Sequence, residues 1–433
     1  MIPSLLLLTL ALAPSCSVAS EAQAHLRGPP TCSWTPLEEK SSLSECASWE
    51  SASSERKDEV SERTRTRPNG TTIEPEPVGW TGPHGCAGSY CLYANRGFAD
   101  GRGIVIISTP ENVEKVKVLE QTLRGSQALE EDPSSTNPSF RITEVGGKGQ
   151  GMIANKTLAR GDIVMLKSPV LLAHRAFIER AAPADRHDLL DSVAGFLPPA
   201  TRRSFLGQMG HFGGHRVSDI MATNSFQMDV GGGGGGGAQQ DDGHHYGNFP
   251  EVSRYNHDCR PNVAFRIGPE LRHRTTVVRP VKPGEELTIS YLDPLGTRSV
   301  RQNRAKQAWG FECGCSQCGL ARKQAAASDA RLWEIGELER QLSDVGATVT
   351  TASVERFLKL HAEERLESKM AGAYTTAALN FNLLGRNKLA VKYARLAVEA
   401  GTIENGPEAG DVEAMRALAA DPKKHFTWRG RLQ

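Results

Sequence analysis

The rhythm of apolar and polar positions divides the chain into stretches with different expectations. Leu5 to Ala13 is an apolar run, broken by Thr9 and stopped by Pro14, too short to cross a bilayer as a helix. Small Ser17 and Ala19 follow at cleavage-site spacing, so residues 1–20 read as a secretory signal peptide. The competing expectation is an apolar N-terminus on a cytoplasmic or nuclear protein. Residues 21–77 carry no lasting apolar period, and ERKDEVSERTRTR at 55–67 mixes both charge signs, which predicts a flexible polar segment. Order is expected again over 78–131. Trp80, Tyr90 and Tyr93 cluster there with Cys86 and Cys91. GRGIVIIST predicts a buried strand, and Val113, Val116, Leu119 and Leu123 predict a helix. A stretch with Pro, Ser and Asn at 132–139 predicts a domain boundary.

From residue 140 the pattern becomes that of short strands joined by glycine turns. FRITEV alternates, GGKGQG at 146–151 turns, MIANKTL resumes and GDIVMLKSPVLL follows. Residues 174–222 then show helical spacing in AFIERAAPADRHDLLDSVAGFL, continuing in TRRSFLGQMGHF after Pro198-Pro199. His187, His211 and His215 in this stretch are expected to be surface or packed histidines, not ligands. Residues 231–247 open on a run of glycines from which no core can be built, so a flexible loop is expected there, with His244 and His245 solvated. VAFRIGP, RTTVVRPV and ELTISYL predict three more strands, and LGTRSVRQNRAKQAWG a basic helix with one solvated face. After residue 327 apolar positions recur at helical spacing to near the end. Asn387 is expected to cap one helix and Gly401 to end it.

At 433 residues the chain has room for two or three domains. A net charge of +1 leaves no basic excess of the kind that marks a nucleic-acid footprint, so direct nucleic-acid binding is disfavoured. Among the nine cysteines, Cys32, Cys46, Cys86 and Cys91 form an N-terminal set, for which oxidation is expected in a secreted chain, with a leaning to Cys86–Cys91. Asn69-Gly-Thr71 and Asn155-Lys-Thr157 are sequons usable only in that setting. The C-terminal set differs in spacing. Cys313, Cys315 and Cys318 in GFECGCSQC offer three thiolates and lack the fourth ligand of a tetrahedral zinc, for which Cys259 is the candidate.

Cys259 lies in RYNHDCRPN, residues 254–262, and two later segments answer to it: GEELTISY at 284–291 and GFECGCSQC at 310–318. The order NH-x-C-x-PN, EL-x3-Y, F-x-C-x-C-x2-C resembles the SET-domain protein lysine methyltransferases, and most of all their SMYD-type branch. The resemblance covers roughly residues 139–322, and more loosely the helical tail. The partner-binding MYND zinc finger of that branch needs about eight Cys and His ligands, and no such cluster is present.

The resemblance implies an α+β fold: a SET-type β fold over 139–294 with a helical insert at 174–222, then a cysteine-rich zinc-binding segment at 295–322. An all-α, TPR-like C-terminal region at 328–433 completes it, led by NLLGRNKLAVKYARLAVEAG. It implies S-adenosylmethionine as cofactor, beside Lys148, Gly149 and Gly151 of the glycine turn, Asn224 of TNSF, and Asn256 and His257. Phe311 would stack on the adenine, Trp309 would line the lysine channel where the branch usually has Tyr, and Tyr291 would be the catalytic phenol. Asp258 stands where the family usually has Ser, and Glu286 reads as a structural strand residue. The implied substrate is a protein or peptide lysine, and a protein partner is expected on the helical region. The rival expectation is a SET-fold binding or scaffold protein of the secretory pathway that has lost turnover.

Overall fold

The computed structural model describes residues 79–125, 130–230 and 243–432. The expected signal peptide at 1–20, the polar segment at 21–77, Cys32, Cys46, the Asn69 sequon and the glycine run itself lie outside the described residues.

Residues before 139 do not form a separate unit. Strands β1 (Trp80–Thr81), β2 (Cys86–Ala87), β3 (Tyr90–Asn95) and β4 (Ile104–Ser108) share one seven-stranded sheet with β8 (Leu171–His174), β9 (Ser225–Asp229) and β10 (His244–Asn248). The join is a parallel pairing of β4 with β8, Val105 opposite Leu171 and Ile107 opposite Ala173. This corrects the expected boundary at 132–139, and the reason is burial. Every residue of β4 is buried. Ile104 and Ile106, with Cys91 and Tyr93, face one core that includes Leu172 and Phe249. Val105 and Ile107, with Leu92 and Ala94, face a second core. An apolar strand of this kind needs cover on both faces, and only the later strands and helices supply it. Helix α1 (Pro110–Gly125) buries Val113 and Val116 in the first core. Cys86 and Cys91 sit directly opposite across β2 and β3 and are joined as a disulfide.

The helical insert builds the second core. Helices α2 (Arg175–Arg180), α3 (Pro183–Phe196), α4 (Pro199–Leu206) and α5 (Arg216–Asn224) contribute Phe177, Leu190, Val193, Phe205 and Ile220 to it. Two expectations are corrected here. The helix of TRRSFLGQMGHF ends at Leu206, because Gly207, Gly210 and the left-handed pair Gly213-Gly214 break it. Residues 244–247 belong to strand β10, with His245 and Tyr246 buried, because Asp229 to Ser225 of β9 pair along them.

Two smaller sheets carry the motif segments. One runs β11 (Asn256–His257), β14 (Glu286–Ile289), β6 (Gly149–Ala154), β5 (Phe140–Val145). The other runs β12 (Val263–Ile267), β13 (His273–Val277), β7 (Ile163–Lys167). Helix α6 (Arg298–Trp309) leads into the cysteine loop. Helices α7 (Arg322–Ser343), α8 (Thr351–Glu363), α9 (Met370–Leu383), α10 (Asn387–Glu404) and α11 (Gly410–Ala420) form the C-terminal region. Its core holds Leu332, Ile335, Phe357, Leu360, Phe381 and Met415. Asn387 is the first residue of α10 and makes no cap, and Gly401 lies inside that helix. No described helix is long and apolar enough to cross a membrane.

Candidate active site

The short parallel pairing of β11 with β14, Asn256 opposite Thr288 and His257 opposite Ile289, brings the first two motif segments together. Tyr291 follows β14 by two residues, and its backbone N–H donates to His257 Nδ1 at 3.0 Å. That bond makes Nδ1 an acceptor, so the neutral ring carries its proton on Nε2, which lies 3.4 Å from Cys259 Sγ. Burial pushes the His257 pKa down to about 4, so the ring stays neutral at physiological pH. One histidine thus links the Tyr291 segment to the cysteine cluster.

Tyr291 is enclosed by rings. The centroid of His257 lies 5.4 Å away, that of Trp309 5.5 Å and that of Phe311 6.4 Å. Trp309 ends α6, and Gly310 caps it at φ 69°, which turns the chain so that the neighbouring aromatic residues meet the same phenol. A Cβ at Gly310 would also meet the His211 ring, so the loop after α4 reaches this spot. The Tyr291 hydroxyl donates to the carbonyl of Tyr255. Burial, then the Glu286 carboxylate, raise the phenol pKa, so Tyr291 is a neutral hydrogen-bonding group and not a phenolate base.

The glycine turn lies against Asn256. A Cβ at Gly151 would lie 2.7 Å from Asn256 Nδ2, so any side chain here would displace that amide. Asn256 Nδ2 donates to Glu286 Oε1 at 2.9 Å, and Lys148 Nζ lies 2.7 Å from Glu286 Oε2. Glu286, expected to be a plain strand residue, therefore ties together two candidate cofactor ligands. Gly149, with φ 71°, opens β6 beside them. Asn224 ends α5, and its amide donates to Met209 O at 2.7 Å and Ile220 O at 2.9 Å.

Cys259, Cys313, Cys315 and Cys318 are all buried, with their sulfurs within 4.8 Å of one another. Cys259 Sγ lies 3.9 Å from that of Cys313 and 3.6 Å from that of Cys318. Four sulfurs around a tetrahedral zinc stand about 3.8 Å apart, given Zn–S bonds of about 2.3 Å, so the donor set fits. Such a centre carries two net negative charges. Arg301, 2% exposed, answers them by donating from Nε to Cys259 Sγ at 3.1 Å. This corrects the expectation that the cations of α6 form one solvated face. The signal was available: Arg301 shares a helical stripe with buried Ala305 and Ala308.

These residues suit a ligand with a zwitterionic end and a flat ring. Lys148 and Glu286 offer both charges, Phe311 offers a half-buried ring face, and Asn256 Oδ1 takes no hydrogen bond among the described residues. The family model described as SET domain matches residues 149–292, which hold every residue of the first two motif segments. Residues 149–292 are thus a SET domain. Similar proteins include the histone-lysine N-methyltransferase SMYD3 of Homo sapiens, 36% identical over 105 residues, 23% of this chain and 24% of that protein. The histone-lysine N-methyltransferase set5 of Schizosaccharomyces pombe is 26% identical over 209 residues, 47% of this chain and 58% of that protein. The N-lysine methyltransferase SMYD2 of Homo sapiens is 35% identical over 83 residues, 19% of each chain. The chain spans from about a fifth to under two thirds of these relatives' length.

Proposed function

We propose that this protein is an S-adenosylmethionine-dependent protein-lysine N-methyltransferase. The packing of the Tyr291 ring among those of His257, Trp309 and Phe311, on a SET domain, carries the reading. The relatives' names supply the substrate class, a lysine side chain of a protein.

When bound, the cofactor would supply an electrophilic methyl group on a sulfonium sulfur, with a neutral thioether as the leaving group. Lys148, Glu286 and Asn256 would hold its amino-acid end, and Phe311 its ring. The zinc thiolates would be those of Cys259, Cys313, Cys315 and Cys318, whose role is to fix the loop carrying Phe311. The aromatic wall strips water from the incoming lysine and favours its neutral, nucleophilic form. With its proton donated to Tyr255 O, the Tyr291 hydroxyl oxygen would act toward the lysine as an acceptor of an amine N–H and align the nitrogen. The proton shed by the methylated amine passes to solvent.

The test is a contrast. Tyr291→Phe is expected to keep zinc and cofactor affinity while turnover falls about 10²–10³-fold. Asn256→Ala is expected to weaken cofactor binding first. Titration calorimetry and mass-spectrometric detection of methyl-lysine read the two effects. Wild-type protein that binds no cofactor would turn the reading toward a scaffold. The Ala-rich hairpin of α9 and α10 is the part read as TPR-like, and a protein partner on the helical region belongs to the proposal. Loss of a co-purifying protein on replacing the exposed Trp333 tests it. Entry into the secretory pathway is also proposed, supported by residues 1–20 and the Cys86–Cys91 disulfide. Microscopy of a C-terminally tagged chain with and without residues 1–20 decides it.

A further inference from the structure

Arg260 stands between Cys259 and Pro261, and its side chain turns inward, 4% exposed. Its Nη1 donates to the Cys259 carbonyl at 2.7 Å and the Pro294 carbonyl at 3.0 Å. Its Nε donates to the Glu364 carbonyl, and Nη2 lies 2.8 Å from Glu364 Oε2. Glu364 directly follows α8 and is 1% exposed. Its carboxylate also accepts from Gln317 Nε2 at 3.0 Å, Ser328 Oγ at 2.7 Å and Arg331 Nε at 2.7 Å.

One ion pair therefore gathers four pieces of chain. Cys259 is a candidate metal ligand, Pro294 stands three residues past Tyr291, and Gln317 lies between Cys315 and Cys318. The fourth piece is the helical region itself. With the bond from Tyr291 N to His257 Nδ1, the contacts close a ring from Tyr291 through His257, Cys259 and Arg260 back to Pro294. A buried ion pair is a poor source of stability, since apolar groups of similar size replace it at little net cost. Its geometry is what apolar groups cannot reproduce: a planar guanidinium holding three carbonyls and a carboxylate at fixed angles.

We propose that Arg260 and Glu364 are a positioning pair for methyl transfer, through which the helical region becomes a working part of the active site. The inference rests on the methyltransferase reading. Neither residue touches the reacting atoms. The pair sets where the Tyr291 segment stands relative to the segment of Asn256, His257 and Cys259. A displacement of about 1 Å between reacting groups is enough to slow an aligned displacement about 10²-fold.

The experiment uses the full chain with zinc, as Arg260→Met, Glu364→Gln and the double variant. Arg260→Met takes the guanidinium from three carbonyls and the Glu364 carboxylate, Glu364→Gln leaves the buried Arg260 charge without its counter-charge, and each lowers the unfolding temperature. The double variant removes both charges of the pair and recovers the part of that loss due to an uncompensated buried charge, while the three carbonyls stay without the guanidinium. Expected in the double variant is a kcat still about 10-fold or more below wild type, with the KM for a lysine peptide changed less than about 3-fold. Recovery of kcat together with stability would make the pair merely structural and overturn the proposal. Should the double variant not fold, Glu364→Asp keeps the charge and shortens its reach, and an unchanged kcat there overturns the proposal equally. Should wild type neither bind the cofactor nor turn over, the methyltransferase reading is what has failed. Zinc release to a chelator then decides the pair, and release as slow in the double variant as in wild type would count against it.

Discussion

At the scale of a residue, His257 joins the four-cysteine cluster to the candidate site around Tyr291. Its Nε2 faces the Cys259 sulfur and its Nδ1 holds the backbone of Tyr291. Cys259→Ser is therefore expected to lower zinc content and cofactor affinity together, read by elemental analysis and calorimetry on the same preparation. Zinc loss with unchanged cofactor affinity would separate the two. His273 tests burial alone. It is fully buried among Phe226, Phe249 and Phe265, and neither ring nitrogen has a hydrogen-bond partner among the described residues. Burial pushes its pKa down to about 3 from an ordinary 6.5. The folded state then binds fewer protons than the unfolded chain between those values. Stability is full above about pH 6.5 and falls as pH drops, by at most about 1.4 kcal/mol per unit. His273→Leu is expected to flatten the dependence of unfolding temperature on pH between about 6 and 4. A slope identical to wild type would show that other groups set it.

Elements were legible where the pattern is local. FRITEV, GDIVMLK and ELTI became strands, and the stripe of Leu332, Ile335 and Leu342 became α7, because each face repeats within a few residues. Strand β10 was not legible, since HHYGN follows a glycine run and its register comes from β8 and β9. The glycine turn at 146–151 and the clustering of the four cysteines were legible from spacing, whereas the contacts of Glu286, Arg260 and Glu364 were not. Their importance lies in what they touch across 30 residues or more of chain. Gly401 shows how a local rule misleads. Glycine near a helix end usually marks its stop, yet α10 continues to Glu404 and Gly401 faces α11. A Cβ there would lie 2.7 Å from Val412 Cγ2. Gly401→Ala should wedge the two helices and cost about 1–3 kcal/mol in thermal unfolding. An unchanged or raised unfolding temperature would show that the interface yields freely.

At the scale of the whole molecule, the sheet that joins β4 to β8 makes residues 79–125 part of the same body as the motif segments. A chain beginning at residue 139 would uncover the β8 edge and one wall of the core containing Phe177, Leu190 and Val193. It is expected to be insoluble, while a chain beginning at residue 79 stays soluble and holds zinc. Soluble yield and zinc content check both, and a well-behaved zinc protein from 139 onward would contradict this account. The same pairing has a consequence during synthesis. Ile104–Ser108 leaves the ribosome before the segment that covers it exists, and the gap to Leu171 takes on the order of 10 s to translate. Throughout that interval IVIIS is a short apolar strand with an open edge, the kind of segment for which chaperones and neighbouring nascent chains compete. Ribosomes paused between those two strands would therefore carry the protein in its most adhesive form.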